Sequence, residues 1–167
     1  MTEGEGTVRL RPPENALDPR AVSWWRTRTL AVTVTAAGTL AVLGWLIAPA
    51  RPWLLWPAAA VAVLGLLQAA VVPAWRYRVH RWETTDEAVY VRTGAFLQEW
   101  RIAPMSRIQT VDTLRGPLER SYGLATVTVT TASAKGAITI AGLDHELAAE
   151  LARRLTRITQ ETPGDAT

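Results

Sequence analysis

Side chains able to do chemistry are few in this chain. Arg107, Gln109, Glu119 and Arg120 lie close together and combine two guanidinium groups, a carboxamide and a carboxylate. Such a set can brace a corner of a fold as ion pairs, or present a polar surface to a ligand or partner, because both uses draw on the same groups. Nothing around it completes a catalytic constellation. The chain has no cysteine and two histidines, His80 and His145. Ser23, Ser106, Ser121 and Ser133 all lack a Gly-x-Ser-x-Gly context. There is no glycine-rich phosphate loop and no His-Glu-x-x-His. Asp86-Glu87 is an acidic pair expected at a solvated hairpin tip. The sequence therefore predicts no enzyme, no metal site and no cofactor.

The elements that must hold the polar set follow from the charge distribution. The chain has 167 residues, 49% of them hydrophobic and 20% charged. Residues 29–75 carry one charge, Arg51, whereas the 92 residues after them carry twelve cations and eleven acids. The balance is too even for a nucleic-acid surface, which needs cations clustered on one face. Thr29–Ala48 and Trp53–Trp75 are uncharged runs, each long enough to cross a hydrocarbon core of about 30 Å. Pro49-Ala50-Arg51-Pro52 between them permits only a tight turn. The reading is a two-helix transmembrane hairpin over residues 24–76, with spans at about 29–48 and 53–75. Ala48-Pro49-Ala50 has a small-x-small look, but the run before it is too long for a signal peptide.

Arginine placement predicts the orientation. Arg20, Arg26 and Arg28 precede the first span, Arg76, Arg78 and Arg81 follow the second, and the loop holds only Arg51. The positive-inside rule then puts both termini in the cytoplasm of a multi-pass plasma-membrane protein. Trp24, Trp25, Trp53, Trp56 and Trp75 mark the span ends, where indoles favour the headgroup level. Arg26, Arg28, Trp53, Trp75, Arg76 and Arg78 are the expected membrane-interface residues. No ionisable group lies inside either span, which argues against a pump or channel. Ala58, Ala59, Ala60 and Ala62, with Ala37 and Ala41, offer small faces for packing within the hairpin.

Residues 1–23 read as a flexible cytoplasmic leader in which Val8–Arg11 is a candidate edge strand, and 162–167 as a disordered tail. From Tyr77 the pattern turns to period two. Val89 and Val91 mark one strand. Turns are expected at Thr93-Gly94-Ala95 and Ala134-Lys135-Gly136, and Phe96, Trp100 and Ile102 share one face of the strand between Gly94 and Pro104. Arg107–Leu114, Leu124–Thr131 and Ala137–Ile140 are further strands. Asp144 is placed to cap a helix whose Leu147, Leu151, Leu155 and Ile158 form one stripe. Residues 77–161 thus read as a cytoplasmic, mostly β domain, a pleckstrin-homology (PH)-like barrel with a C-terminal capping helix.

Two stretches carry a resemblance: Ala103-Pro104-Met105-Ser106-Arg107-Ile108-Gln109-Thr110-Val111, and Arg115-Gly116-Pro117-Leu118-Glu119-Arg120 running on to Val127. With the hairpin, they resemble the bacterial PH-domain family of small membrane proteins (YdbS-like). The resemblance implies a transmembrane hairpin joined to a cytoplasmic PH-like domain in an envelope-associated protein. It implies no catalytic activity and no agreed ligand. The expected partners are the lipid bilayer and either another membrane protein or a second copy. A phosphoinositide-type site would need a basic first hairpin, but Thr84-Thr85-Asp86-Glu87 is acidic. Attraction of anionic lipid by Arg76, Arg78 and Arg81 is the alternative reading.

Overall fold

Uncharged, leucine- and alanine-rich sequence favours helix, and the second helix continues through Pro57 and Pro73. In the computed structural model, which describes residues 13–94, 98–132 and 136–161, α1 (Arg20–Leu46) and α2 (Arg51–Val79) are antiparallel neighbours. A 3₁₀ turn, Ala48–Ala50, joins them. Both are long and apolar enough to cross a membrane. Twenty-seven residues of α1 extend about 40 Å, so each helix outreaches the hydrocarbon core. The seam uses part of the alanine face expected from the sequence: Ala58 is buried, and Ala37, Ala41 and Ala62 are half-buried. Gly44, Gly65, Ala58, Ala69 and Thr33 are buried, whereas Ala59 and Ala60 are exposed. At Gly65 a methyl group would overlap the Thr33 side chain, so the backbones approach closely there.

The remaining strands are β1 (Asn15–Ala16), β2 (Arg81–Thr84), β3 (Ala88–Thr93), β4 (Glu99–Pro104), β5 (Ile108–Leu114), β6 (Leu124–Thr131) and β7 (Ile138–Asp144). Helix α3 (Pro117–Ser121) sits between β5 and β6, and α4 (His145–Glu161) closes the order. All ladders are antiparallel. The sheets are β1-β2-β3-β4 and β5-β6-β7. They do not join into the closed barrel expected from the sequence. Pro104 ends β4 and Met105–Arg107 coil into a 3₁₀ turn before β5, so the chain changes sheets instead of continuing the ladder. Leu124, Val127, Val129, Val89, Ile140 and Leu143 form the core with Ala148, Leu151 and Leu155 of α4. Leu147 is 41% exposed, so Ala148 takes the place in the stripe that periodicity gave to Leu147. Ile102 is likewise exposed.

The joint between hairpin and domain differs from the sequence reading. Residues 13–23 are no loose leader: β1 pairs with β2, Leu17 is buried, and α1 begins at Arg20. Trp24 and Trp25 are not open to lipid, being 7% and 5% exposed. With Ala21 they belong to the domain core, because Ala21, Trp24 and Trp25 follow the i, i+3, i+4 spacing of one helix face. Tyr77 is helical, since α2 runs to Val79. Val8–Arg11, the turn at Ala95, Phe96, the turn at Ala134-Lys135 and the tail 162–167 lie outside the described residues.

Candidate functional site

The joint between hairpin and domain is built from the helix ends. A helix leaves its last carbonyls without partners. At the end of α2 the Arg76 carbonyl accepts from the His80 amide (2.9 Å) and from His80 Nδ1 (2.8 Å). Arg81 donates to the Tyr77 carbonyl at 3.0 Å, and Arg92 of β3 donates to the Val79 carbonyl at 3.0 Å. Cations at a helix C-terminus also complement its dipole. At the other helix, Arg20 bridges Asp18 (2.9 Å) and Asp144 (2.6 Å), and Asp144 accepts from the Glu146 amide. The Arg20 hydrogen bond holds the Asp18 and Asp144 carboxyls below the usual carboxylate value. Gly142, at φ +84°, lets β7 approach α1: a methyl group there would lie 2.8 Å from Ala21 Cβ. Thr27 and Tyr122 share a 2.6 Å hydrogen bond between α1 and the residue after α3. The domain is therefore mounted on both helices by packing and hydrogen bonds, not hung from a tether.

Beside this joint, Trp25, Arg28, Thr29, Val32, Thr33, Gln68 and Arg76 line a cleft of about 310 Å³. The Arg76 guanidinium lies 4.7 Å from the Trp25 ring centroid, and the His80 ring lies 5.7 Å from Trp25 on its other contact. Burial depresses the His80 pKa below its usual 6.5, with the Arg76 charge adding to the effect against the Arg76 carbonyl bond.

The corner residues do not converge. Glu119 is buried and fully used: one oxygen accepts from Thr126 Oγ1 and the other from the Gly116 amide, both at 2.6 Å. It caps α3 and ties that helix to β6. Arg107 precedes Ile108, which pairs with Thr131, whereas Thr126 pairs with Leu114 at the opposite end of the ladder. Six strand steps separate the two ends by about 20 Å. Arg107, Gln109 and Arg120 are exposed and have no side-chain hydrogen bond or ion pair among the described residues. No ion-paired corner forms, because helix capping claims Glu119 and strand geometry carries Arg107 away from it. Gln109 lies on the free edge of a sheet, and Arg107 ends the 3₁₀ turn that leads into it. β5 is hydrogen-bonded only to β6, and Gln109, Thr110, Asp112, Thr113 and Leu114 are all exposed.

Among the expected interface residues, Arg26, Arg28 and Arg78 are exposed, Trp53 is 81% and Trp75 40% exposed, and Arg76 is half-buried. Trp75 and Arg78 border a shallow cleft with Ala70, Val71 and Ala74. The acidic turn is solvated, with Asp86 reaching Arg154 of α4 at 3.0 Å. Sequence reading missed Gly142 and the cleft. A lone glycine inside the strand pattern of Ile138–Leu143 was the available signal for the first. Gln68, the sole strongly polar side chain of its span, was the signal for the second.

Comparison with known proteins adds a family. A family model described as bacterial PH domain matches residues 29–159. The chain is 30% identical over 160 residues to the transmembrane protein YdbS of Bacillus subtilis (strain 168), an alignment covering 92% of this chain and 97% of that one. No solved structure matches.

Proposed function

The chain belongs to the bacterial PH domain family, and we propose that it is a membrane-mounted interaction module of the cell envelope, assembling with a second copy or another membrane protein through the free edge of β5. Both termini face the cytoplasm in this proposal, following the arginines at the flanks.

The observation that carries the reading is the β5 edge, which is hydrogen-bonded to a strand on one side only. An edge strand offers a row of unpaired backbone donors and acceptors, which natural proteins protect with lysine, proline or a covering element. Ile108–Leu114 contains neither lysine nor proline; its protection is a bulge at Gln109, one charge, Asp112, and the packing of α4 beside it. Added strands are a recurrent mode of recognition, with backbone bonds giving affinity and alternate side chains giving specificity. The strand also favours a second copy. Antiparallel pairing centred on Val111 would set Thr110 opposite Asp112 and Ile108 opposite Leu114, with no like charges facing each other. Confinement of a rigidly mounted domain to the membrane plane raises its effective concentration for such a contact.

The test is Thr110→Lys combined with Asp112→Lys, two exposed positions whose change spares the core. Full-length protein crosslinked in native membranes should lose its specific adducts while keeping its melting temperature. Unchanged adducts would refute a contact through β5. For orientation, cysteines placed in Pro49–Pro52 should be labelled from outside intact cells, and labelling of Thr167→Cys from outside would contradict the topology.

A further inference from the structure

We propose that the cleft between α1 and α2 binds the phosphate of an anionic glycerophospholipid, with Arg28 and Arg76 on the phosphate and Thr29 and Gln68 on the ester oxygens beneath it. The site is on the hairpin and is independent of the β5 contact.

Between Asp18 and Glu83 the sequence has no acidic residue, so the hairpin can neutralise none of its own cations. Arg28 and Arg76 come from different helices yet line one cleft. Neither has an ion-pair or side-chain hydrogen-bond partner among the described residues, whereas Arg20, Arg101 and Arg154 all hold carboxylates. Two guanidinium groups converging without a carboxylate repel each other until an anion joins them. Arginine is suited to this, since its planar fork matches phosphate oxygens. Stacking on Trp25 holds the Arg76 guanidinium in place and leaves its edge N–H groups for a ligand.

Gln68 precedes Arg76 by eight residues, about 12 Å along the helix toward the bilayer centre. Its carboxamide is exposed from the protein and makes no hydrogen bond within it. The Thr29 hydroxyl, in the same cleft, also has no partner, whereas the Thr33 hydroxyl is satisfied by the Thr29 carbonyl at 2.8 Å. Below the phosphate level water thins out, so an amide left open there gains from an acceptor that a ligand brings. Polar groups left open there call for a ligand that brings its own acceptors below a charged phosphate. A glycerophospholipid has that order: phosphate outermost, ester carbonyls beneath, acyl chains below. Val32 completes the apolar wall beside them. Zwitterionic lipids carry the same phosphate, but their ammonium group would meet two arginines and no acid, so the anionic class is preferred.

Purified full-length protein in detergent is titrated with phosphatidylglycerol, phosphatidylcholine and soluble glycerol 1-phosphate, read by melting temperature and by native mass spectrometry. Phosphatidylglycerol should bind saturably, at about one molecule per chain, and raise the melting temperature more than phosphatidylcholine does. Arg28→Gln should weaken that binding about fivefold, the effect of one interfacial cation. Gln68→Leu should weaken it too, while keeping or raising the melting temperature of the lipid-free protein, because it removes an unpaired polar group. Equal response to both lipids, or wild-type binding by Arg28→Gln, would overturn the proposal. An equal shift from glycerol 1-phosphate at matching concentration would leave a phosphate site but refute a lipid as its source.

Discussion

Replacing Glu119 with alanine should strongly destabilise the domain rather than expose a lost binding surface. The carboxylate is buried and accepts two short hydrogen bonds, from Gly116 N–H and Thr126 Oγ1, each 2.6 Å long. Hydrogen bonds to charged groups contribute about 1.5–3 kcal/mol each. Losing both, and leaving a backbone donor unpaired inside, should cost about 3–6 kcal/mol. That is a large share of the 5–15 kcal/mol typical of a domain. Glu119→Gln keeps one acceptor, which can serve Gly116 N–H, and its amino group can donate to the Thr126 hydroxyl, which rotates to accept. Its cost should be about 1–2 kcal/mol. Urea unfolding of the full-length protein in mild detergent, followed by tryptophan fluorescence, measures both. Trp24, Trp25 and Trp82 are buried in the same core and report on it. An unchanged midpoint in Glu119→Ala, or equal losses in the two variants, would refute the capping account.

Two further outcomes follow from the joint and the seam. His80 has its pKa depressed below 6.5 by burial, so the unfolded chain binds its proton more readily than the folded one. Its contribution to stability is full above about pH 6.5 and is lost as pH falls through the folded value; the melting temperature should drop across that window, less steeply in His80→Asn, and identical slopes would contradict it. Gly65→Ala should overpack the hairpin against Thr33 and cost about 1–3 kcal/mol, with Thr33→Ala recovering most of the loss in thermal unfolding; a neutral Gly65→Ala would contradict the close approach.

Much of the architecture was legible because its signals are long. Two uncharged runs and a proline turn are enough to define the hairpin, and the valine–threonine alternation of Leu124–Thr131 coincides with β6. Asp144 caps α4 as its position suggested, accepting from the Glu146 amide at 2.9 Å. The misreadings came where one residue serves two contexts. Trp24 and Trp25 look the same in sequence whether a headgroup layer or a protein core receives them. The core receives them because Gly142 lets β7 close on Ala21. Arg107 and Glu119 are twelve residues apart in sequence, but β5 runs between them and extends its length before α3 begins. Proximity in sequence therefore became distance in space. The cleft was harder still to see, because Arg28, Gln68 and Arg76 meet only through helix pairing.

The most direct test of the β5 contact is a photocrosslinking scan in native membranes. A photoreactive residue is placed in turn at Gln109, Thr110 and Thr113 on β5, and at Thr139, an exposed position on β7 of the same sheet. One discrete protein adduct is expected from the β5 positions, at twice the chain's mass for a second copy, and none of that adduct from Thr139. The same adduct from Thr139, or no protein adduct from any β5 position, would contradict it.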